Sequence, residues 1–296
     1  MKKQENCLNH TIIVPNENNG KKMLLYKYVN LYSLMQIIEH CDMKISFRED
    51  ANDPYEMLEQ GIYPGDVIGT YREYGFISLS RSNDVPSLWG NYADKYSGAC
   101  IEIEMPYFRN EYVEGMMDDF GISMSNGYRG LCRFALERSN LAQQPQIYIN
   151  KYRYFNEKDL RIYIGGGDFL VKCLYTGSER FKCDASVLPN DEMLIMFGTL
   201  GLKDYTWEYE QEYRVPVMKR AATRCSFSDD RIMYFSDTIM RFVKRIILGP
   251  KCKYSVEQIN EYLQTHKGIN NHNYFTDIKI TQAKFSKTTF SLEIDD

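Results

Sequence analysis

The segment from residue 207 to residue 215 places a charged residue at every second position, and this pattern most constrains the fold. Glu210, Glu212 and Arg214 alternate there with aromatic, amide and aliphatic residues. Because side chains two apart on a β-strand share a face, the pattern predicts a strand with these three groups on one side. A hydrophobic core does not need a charged face. The face therefore belongs either to an exposed edge strand with a Glu–Arg pair or to a polar cleft.

The composition describes a globular chain with a sizeable core. Of 296 residues, 44% are hydrophobic and 26% charged, and the net charge of -4 supplies no bulk basic field for nucleic acid or membrane lipid. A local basic groove is compatible with that charge. The eight cysteines form no C-x-x-C motif and the four histidines no ligand-spaced pair, which argues against a zinc site and favours reduced thiols in the cytoplasm. No apolar run approaches a membrane span, so we expect no membrane partner.

We expect a flexible N-terminal arm over residues 1–22 and a single α+β domain over residues 23–296. Asn30 and Ser255 are predicted to cap the starts of two helices. Residues 105–156 have weak periodicity, and we interpret them as an irregular or helical insertion. The predicted strands of a mixed or largely antiparallel sheet cover residues 23–28, 44–47, 75–80, 99–104, 161–164, 168–175 and 242–249, with 99–104 half-exposed.

A short polar block follows the second predicted strand. Asp53 fits a helix N-cap, Pro54 the first helical position and Glu56 the third, an arrangement close to a capping box. Satisfying the unpaired N–H groups of a helix start explains both acidic residues. Asn52 has no such explanation, so it is the better candidate for a functional role.

Two further segments supply hydroxyl groups and aromatic rings. Ser78 and Ser80 lie two apart on a predicted strand and so share a face. Trp89, Tyr92 and Ala93 recur at helical spacing, which is typical of a stripe packed into a core. The same rings are also suited to stacking on a planar ligand.

In their order along the chain, these motifs resemble the bacterial domain-of-unknown-function family 2971. The resemblance spans roughly residues 24–263, with 105–156 outside it. The family label implies no settled chemistry, so any activity has to be argued from the residues. The segments that carry the resemblance are Leu25-Tyr26-Lys27-Tyr28, Asn52-Asp53-Pro54-Tyr55-Glu56, Ser78-Leu79-Ser80, Leu88-Trp89-Gly90-Asn91-Tyr92-Ala93-Asp94 with Ser97-Gly98, Trp207-x-x-Glu210-x-Glu212-Tyr213-Arg214 and Ile246-Ile247-Leu248-Gly249.

The ordered set also resembles the three-part scheme of ADP-ribosyltransferase folds. That scheme combines a polar residue on an early strand, a serine on a second strand and a glutamate on a later strand. The resemblance implies a split ADP-ribosyltransferase-like core with helical insertions, and NAD as the substrate. By this resemblance the three roles fall, in order, to Lys27 or Tyr28, to Ser78 or Ser80, and to Glu212 or Glu210.

The implied activity is transfer of ADP-ribose from NAD to a macromolecular acceptor, either protein or nucleic acid. Breaking the nicotinamide glycosidic bond develops positive charge on the ribose, which a nearby carboxylate stabilises. We expect Asn52, Trp89, Tyr92 and Arg214 to complete the NAD-binding surface.

Two other classes of function use the same residues. A non-catalytic sensing module would hold a nucleotide among them without turnover. A metal-dependent nuclease would need carboxylates that converge on Mg²⁺, and the candidates for that are Asp53, Glu56, Glu210 and Glu212.

Overall fold

The computed structural model of the protein describes residues 23–53, 74–105, 147–150, 153–155, 163–165, 168–176, 202–228, 231–266, 275 and 278–295. Helices in these ranges are α1 (Leu31–His40), α2 (Pro86–Asn91) and α3 (Val256–Thr265). Short 3-10 helices cover Arg48–Asp50, Tyr205–Glu210, Lys219–Ala221 and Met240–Phe242. The strands are β1 (Met23–Val29), β2 (Met43–Ile45), β3 (Tyr74–Ser80), β4 (Ala99–Met105), β5 (Ile147–Asn150), β6 (Arg153–Phe155), β7 (Tyr163–Gly165), β8 (Asp168–Lys172), β9 (Leu174–Thr176), β10 (Leu202–Asp204), β11 (Glu212–Met218), β12 (Arg224–Ser228), β13 (Arg231–Ser236), β14 (Val243–Leu248), β15 (Lys279–Gln282), β16 (Lys284–Phe285) and β17 (Leu292–Glu293).

Eight strands form the main sheet, in the order β15-β14-β4-β1-β3-β11-β8-β7. Neighbours in this sheet are antiparallel except for β14 and β15, which are parallel. A three-stranded sheet of β12, β13 and β2 lies beside it, and the pairs β9–β10, β5–β6 and β16–β17 are separate. The predicted α+β class with a largely antiparallel sheet is confirmed.

The helix caps follow from the local sequence. The Asn30 side chain accepts a 2.8 Å hydrogen bond from the backbone N–H of Ser33 and so starts α1. Ser255 and Gln258 form the predicted capping box at the start of α3. Both helices bury an apolar stripe in the core, and no helix in the described ranges is long and apolar enough to cross a membrane.

Strand β4 is buried on both faces, so the predicted half-exposed strand is wrong. Every residue of β4 except Glu104 is buried. The strand is central, with β1 on one edge and β14 on the other, and the Arg245 guanidinium meets the Glu102 carboxylate at 2.6 Å. The alternation therefore marks an internal ion pair rather than a solvent-facing side.

Helix α2 is shorter than the spacing of its aromatic residues predicts. It ends at Asn91, and residues 92–97 form turns in which Asp94, Lys95 and Tyr96 have φ of 46°, 52° and 74°. Left-handed backbone at three successive non-glycine residues ends any helix. Tight packing holds the turns, because a Cβ on Gly98 would lie 2.2 Å from the Val29 carbonyl oxygen.

Other predictions fall partly or wholly outside the described residues. The arm over residues 1–22 and the helix after Asp53, with Pro54 and Glu56, lie outside them. Within the 105–156 stretch, the described residues are Met105 at the end of β4 and the antiparallel pair β5 and β6, and the rest of the predicted insertion lies outside the described residues.

The two edges of β1 pair very differently. Its edge toward β4 is in register over seven positions, from Met23 to Val29. Toward β3, the described residues pair only at Tyr26 and Ser80. The start of β3 pairs elsewhere, with Phe76 bonded to Ser46 beyond β2. Strands β1 and β3 therefore separate within a sheet that is otherwise closely paired.

Candidate functional site

A cavity of about 200 Å³ lies where β1 and β3 separate. Consecutive residues of both strands line it, namely Tyr26, Lys27 and Tyr28 with Ser78, Leu79 and Ser80. Because consecutive strand residues alternate between faces, such a lining belongs to a gap between strands rather than to one face of a sheet. The remaining wall comes from the 46–52 segment, Tyr92 and a buried charged cluster.

The predicted strand over residues 207–215 is wrong in its first half. Residues up to Glu210 form a 3-10 helix that Asp204 caps by accepting a 2.9 Å hydrogen bond from the Thr206 backbone N–H. Gln211 then adopts a left-handed φ of 44°, and β11 begins at Glu212. Glu210 and Glu212 therefore do not share a strand face, although both line the cavity.

Lys203 on β10 joins the two glutamates. Its ammonium donates to Glu210 Oε2 and, at 2.9 Å, to Glu212 Oε2. The Arg214 guanidinium donates to both oxygens of Glu212, each at 2.9 Å. All four side chains are buried, with Arg214 fully so. Buried charges persist only when paired in this way.

Ser78 adds a hydroxyl to the cluster. Strands β3 and β11 are paired with Glu212 opposite Ser80 and Arg214 opposite Ser78, which puts the serines and the charged pair on one face. The Ser78 hydroxyl donates to Glu212 Oε1, and the Ser80 hydroxyl donates to the Glu210 backbone oxygen at 2.8 Å. The expected neighbourhood of serines and glutamates is thus present.

The cluster keeps Glu212 ionised. Burial by itself would raise the pKa of Glu212, but the charges of Arg214 and Lys203 and their hydrogen bonds hold that pKa well below its usual range. The result is a fixed carboxylate at the cavity wall.

Glu210 connects the cluster to the opposite wall. The Tyr92 hydroxyl donates to Glu210 Oε1 at 2.7 Å, and the Asn52 side-chain amide donates to the same hydroxyl. Burial, then the Glu210 charge, raises the pKa of Tyr92, so the phenol stays protonated. The fold thus brings Asn52 and Tyr92 together at the cavity wall.

Lys27 contributes the other charge on the β1 side. Its side chain is half-buried, lines the cavity, and forms no hydrogen bond or ion pair with any described residue. Burial lowers the pKa of Lys27 to about 8 and Lys44 adds to the lowering, while Glu212 and Glu210 oppose it. An appreciable fraction of this amine is neutral near physiological pH.

Two predicted binding residues lie elsewhere. Trp89 is fully buried, its ring meets Tyr28 edge-on at 5.4 Å, and its indole N–H donates to the Asn83 carbonyl at 2.7 Å, so it is a core residue with no free face for a ligand. Arg214 lies beneath Glu212 with its guanidinium 4.2 Å from the centre of the Phe76 ring. It supports the carboxylate rather than meeting a ligand. Tyr28 lines the cavity, but its hydroxyl donates to the Ser82 carbonyl at 3.0 Å.

Sequence analysis missed Lys203 and Tyr175. The Glu212 backbone N–H donates to the Tyr175 hydroxyl at 2.6 Å, which fixes the start of β11. Neither residue belongs to a motif, and both reach the site through the pairing of β9 with β10. The one local signal is a lysine on a short strand ahead of the two glutamates.

A model of the family described as Protein of unknown function (DUF2971) matches residues 88–215. The chain is similar to that family over this range, which contains Tyr92, Lys203, Glu210 and Glu212. The match runs through residues 105–156, which the sequence-based resemblance left out, and does not extend to β1 or β14. No curated protein and no solved structure matches the chain.

No group of three or more His, Cys, Asp or Glu side chains in the described ranges is placed to hold a metal ion. Lys203 instead stands between Glu210 and Glu212. In the four-carboxylate set of a nuclease, Glu56 lies outside the described residues and Asp53 is buried.

Proposed function

We propose that the cavity binds NAD and that the chain is an ADP-ribosyltransferase-like enzyme acting on a macromolecular acceptor. The observation that supports this proposal best is the hydrogen bond from the Ser78 hydroxyl to the Glu212 carboxylate at the wall of the cavity, with Lys27 on the facing strand. A fixed carboxylate and a hydroxyl at the wall of a gap lined by aromatic rings would suit the ribose and ring of a nicotinamide riboside, and the Lys27 amine adds a hydrogen-bond donor.

The chemistry would centre on the glycosidic bond between ribose and nicotinamide. As this bond breaks, positive charge develops on the ribose, and Glu212 is a carboxylate kept ionised by its neighbours. Glu210 provides a second carboxylate, which the Tyr92 hydroxyl and Lys203 orient. In this proposal Glu212 stabilises the positive charge on the ribose, and Glu210 contacts the ribose hydroxyls or the acceptor.

The size of the cavity agrees with binding of part of the dinucleotide. Its volume of about 200 Å³ is below the roughly 300–1,000 Å³ of pockets that enclose a drug-sized ligand. The nicotinamide and its ribose would occupy the gap, and the adenosine end would extend beyond these walls. The rings of Tyr26, Tyr28 and Tyr92 provide the apolar surface that nicotinamide needs.

The position of Lys203 supports this reading over a metal-dependent nuclease. Its ammonium bonds both Glu210 and Glu212, where a divalent ion would have to bridge two carboxylates. A cation that the chain supplies itself leaves the pair suited to hydroxyl recognition and to stabilising transient positive charge.

One observation favours the second candidate, a nucleotide-sensing module without turnover. Both oxygens of Glu212 already accept hydrogen bonds from Arg214, Lys203 or Ser78. A carboxylate so fully engaged is a good rigid recognition element and a weaker stabiliser of new charge than a free one.

The site is compatible with the cytoplasm, where we expect the protein to act. None of the cysteines at the described positions, which are Cys41, Cys100, Cys173, Cys225 and Cys252, is in a disulfide bond.

The test combines NAD binding, release of nicotinamide and transfer of a labelled ADP-ribose group to protein or nucleic acid. Wild-type chain, Glu212→Gln and Glu210→Gln are compared with Glu102→Gln, which removes a buried glutamate outside the cavity lining. We expect the wild type and the control to release nicotinamide, and Glu212→Gln to lose about 100-fold or more of the rate.

Each result points to one reading. Binding of NAD with no release or transfer would favour the sensing module. Absence of both binding and turnover in the wild type would refute the proposal. Loss of rate in Glu210→Gln but not in Glu212→Gln would keep the reaction and exchange the roles of the two glutamates.

A further inference from the structure

Among the residues that the structure describes, the charges around the cavity balance without Lys27. Glu210 and Glu212 are compensated by Lys203 and Arg214. Lys27 is therefore a surplus amine: it lines the gap, and the two carboxylates of the cluster are already neutralised without it.

The neighbouring wall leaves the Lys27 amine equally unpaired. Asp50 is a further carboxylate in the cavity lining, and it pairs with Lys44 at 2.5 Å and with Arg231 at 3.2 Å. Lys44 is close enough to act electrostatically on Lys27 and so disfavours a second positive charge there. An amine in this position is more easily kept neutral than one paired with a free carboxylate.

We propose that Lys27 is a carbonyl-capturing residue, whose Nζ condenses with a small aldehyde held in the cavity to form an imine. An amine that is partly neutral near pH 7, placed in a protein gap with no competing hydrogen bond among the described residues, can act as the nucleophile in imine formation. The inference stands apart from the proposed function, because it requires neither NAD nor turnover.

The step balances without an oxidant or a further reactant. The Nζ lone pair forms a bond to the carbonyl carbon, and the carbonyl oxygen takes a proton to give a carbinolamine. That oxygen then leaves as water with both N–H hydrogens of the amine, and a C=N bond replaces the C=O bond. Aldehydes with an uncharged reactive end, such as open-chain sugars, are the class of ligand that fits.

The groups around the amine predict how its reactivity depends on pH. Glu212 on β11, Glu210 on the 3-10 helix and Lys44 on β2 all act on Lys27, and burial has the largest effect. With a pKa of about 8 in place of 10.5, Lys27 has about 300-fold more neutral amine at pH 7 than an ordinary lysine.

The experiment uses the full chain and pyridoxal, an aldehyde without a phosphate, followed by borohydride reduction and peptide mapping by mass spectrometry. Pyridoxine, which carries an alcohol in place of the aldehyde, is the matched reagent control. Lys27→Arg keeps the charge but cannot form an imine, and Lys44→Arg is the matched protein control. Thermal unfolding of each variant checks that it is folded.

We expect Lys27 to be labelled at least about 10-fold faster than Lys44 at pH 7, with a rate that levels off above about pH 8. Lys27→Arg should lose this fast labelling and Lys44→Arg should keep it. Equal labelling of the two lysines in the wild type, or a rate at Lys27 that still rises at pH 10, would overturn the inference. The wild-type comparison alone decides the matter if Lys27→Arg does not fold.

Discussion

The two edges of β1 carry buried charges in different settings. Toward β4 the strands stay paired over seven positions, and Glu102 of β4 forms an ion pair at 2.6 Å with Arg245 of the next strand, β14. Toward β3 the strands separate after Tyr26, and Glu212 stands at a cavity with a surplus amine opposite. The comparison shows that a buried ion pair inside continuous strand pairing is a structural contact, and that a similar pair becomes a candidate site where the backbone pairing opens.

The largest expected effect comes from removing the charge of Glu212. Glu212→Gln leaves Arg214 and Lys203 undercompensated in a buried cluster, so we expect a loss of about 3–5 kcal/mol in the free energy of unfolding. Glu102→Gln should cost a similar amount. Denaturant unfolding measures both, and calorimetry with NAD should show weaker binding for Glu212→Gln alone. Equal effects on binding would break the distinction between the two edges.

Ser78→Ala should have the next largest effect. Its hydroxyl donates to the charged Glu212, whereas that of Ser80 donates to a neutral backbone carbonyl. Hydrogen bonds to charged groups contribute about 1.5–3 kcal/mol and neutral ones about 1 kcal/mol, so Ser78→Ala should destabilise more than Ser80→Ala. Thermal unfolding of both variants checks the order. A reversed order would show that the Glu212 carboxylate does not depend on its hydroxyl donor.

Lys27→Met should stabilise the protein at pH 7. The folded state lowers the pKa of Lys27 from 10.5 to about 8, so the unfolded chain binds more protons between those values and wild-type stability rises with pH across that window. Below about pH 8 the variant avoids this cost, roughly 1–2 kcal/mol after allowance for partial exposure. Unfolding at pH 7 and at pH 10.5 should show the advantage shrink. The control is Lys253→Met, because Lys253 is exposed. Destabilisation by Lys27→Met at pH 7 would contradict the expectation.

Asn52→Ala should have the smallest effect on stability. Asn52 is exposed and its amide bonds only the Tyr92 hydroxyl among the contacts at the site, so we expect about 0.5 kcal/mol or less. Asp53 is buried beside it and is the predicted N-cap of the following helix, so Asp53→Ala should lower the free energy of unfolding by more, about 1 kcal/mol. Ligand binding should instead weaken in Asn52→Ala, because Tyr92 loses a partner at the cavity. Equal melting temperatures for the two variants would argue against this division.

Local patterns predicted the elements whose signals are local. The strand after Met23, the cap at Asn30 and the capping box at Ser255 each depend on a few adjacent residues, and all three are present. The predicted strand is wrong before Glu212 because residues up to Glu210 form a 3-10 helix capped by Asp204, and Gln211 ends this helix in a left-handed conformation.

Contacts between distant segments could not be predicted. Lys203 reaches the glutamates because β10 pairs with β9, which no local motif indicates. Trp89 shows the opposite case, since its helical spacing fitted both a core stripe and a ligand platform, and only its full burial decides for the core. Residue spacing therefore predicted which side chains are candidates for the site more reliably than it predicted what those side chains contact or how buried they are.

The turns that follow α2 have a consequence for ligand affinity. The backbone N–H of Gly98 donates to the Ala93 carbonyl at 2.8 Å, and that of Lys251 donates to the Tyr96 carbonyl at 3.0 Å, so the loop is fixed from both sides. Tyr92 begins this loop, and its hydroxyl is already committed to Glu210. Its ring therefore loses rotational freedom when the protein folds, and a ligand that packs against it avoids about 0.5–1.5 kcal/mol of ordering cost on binding.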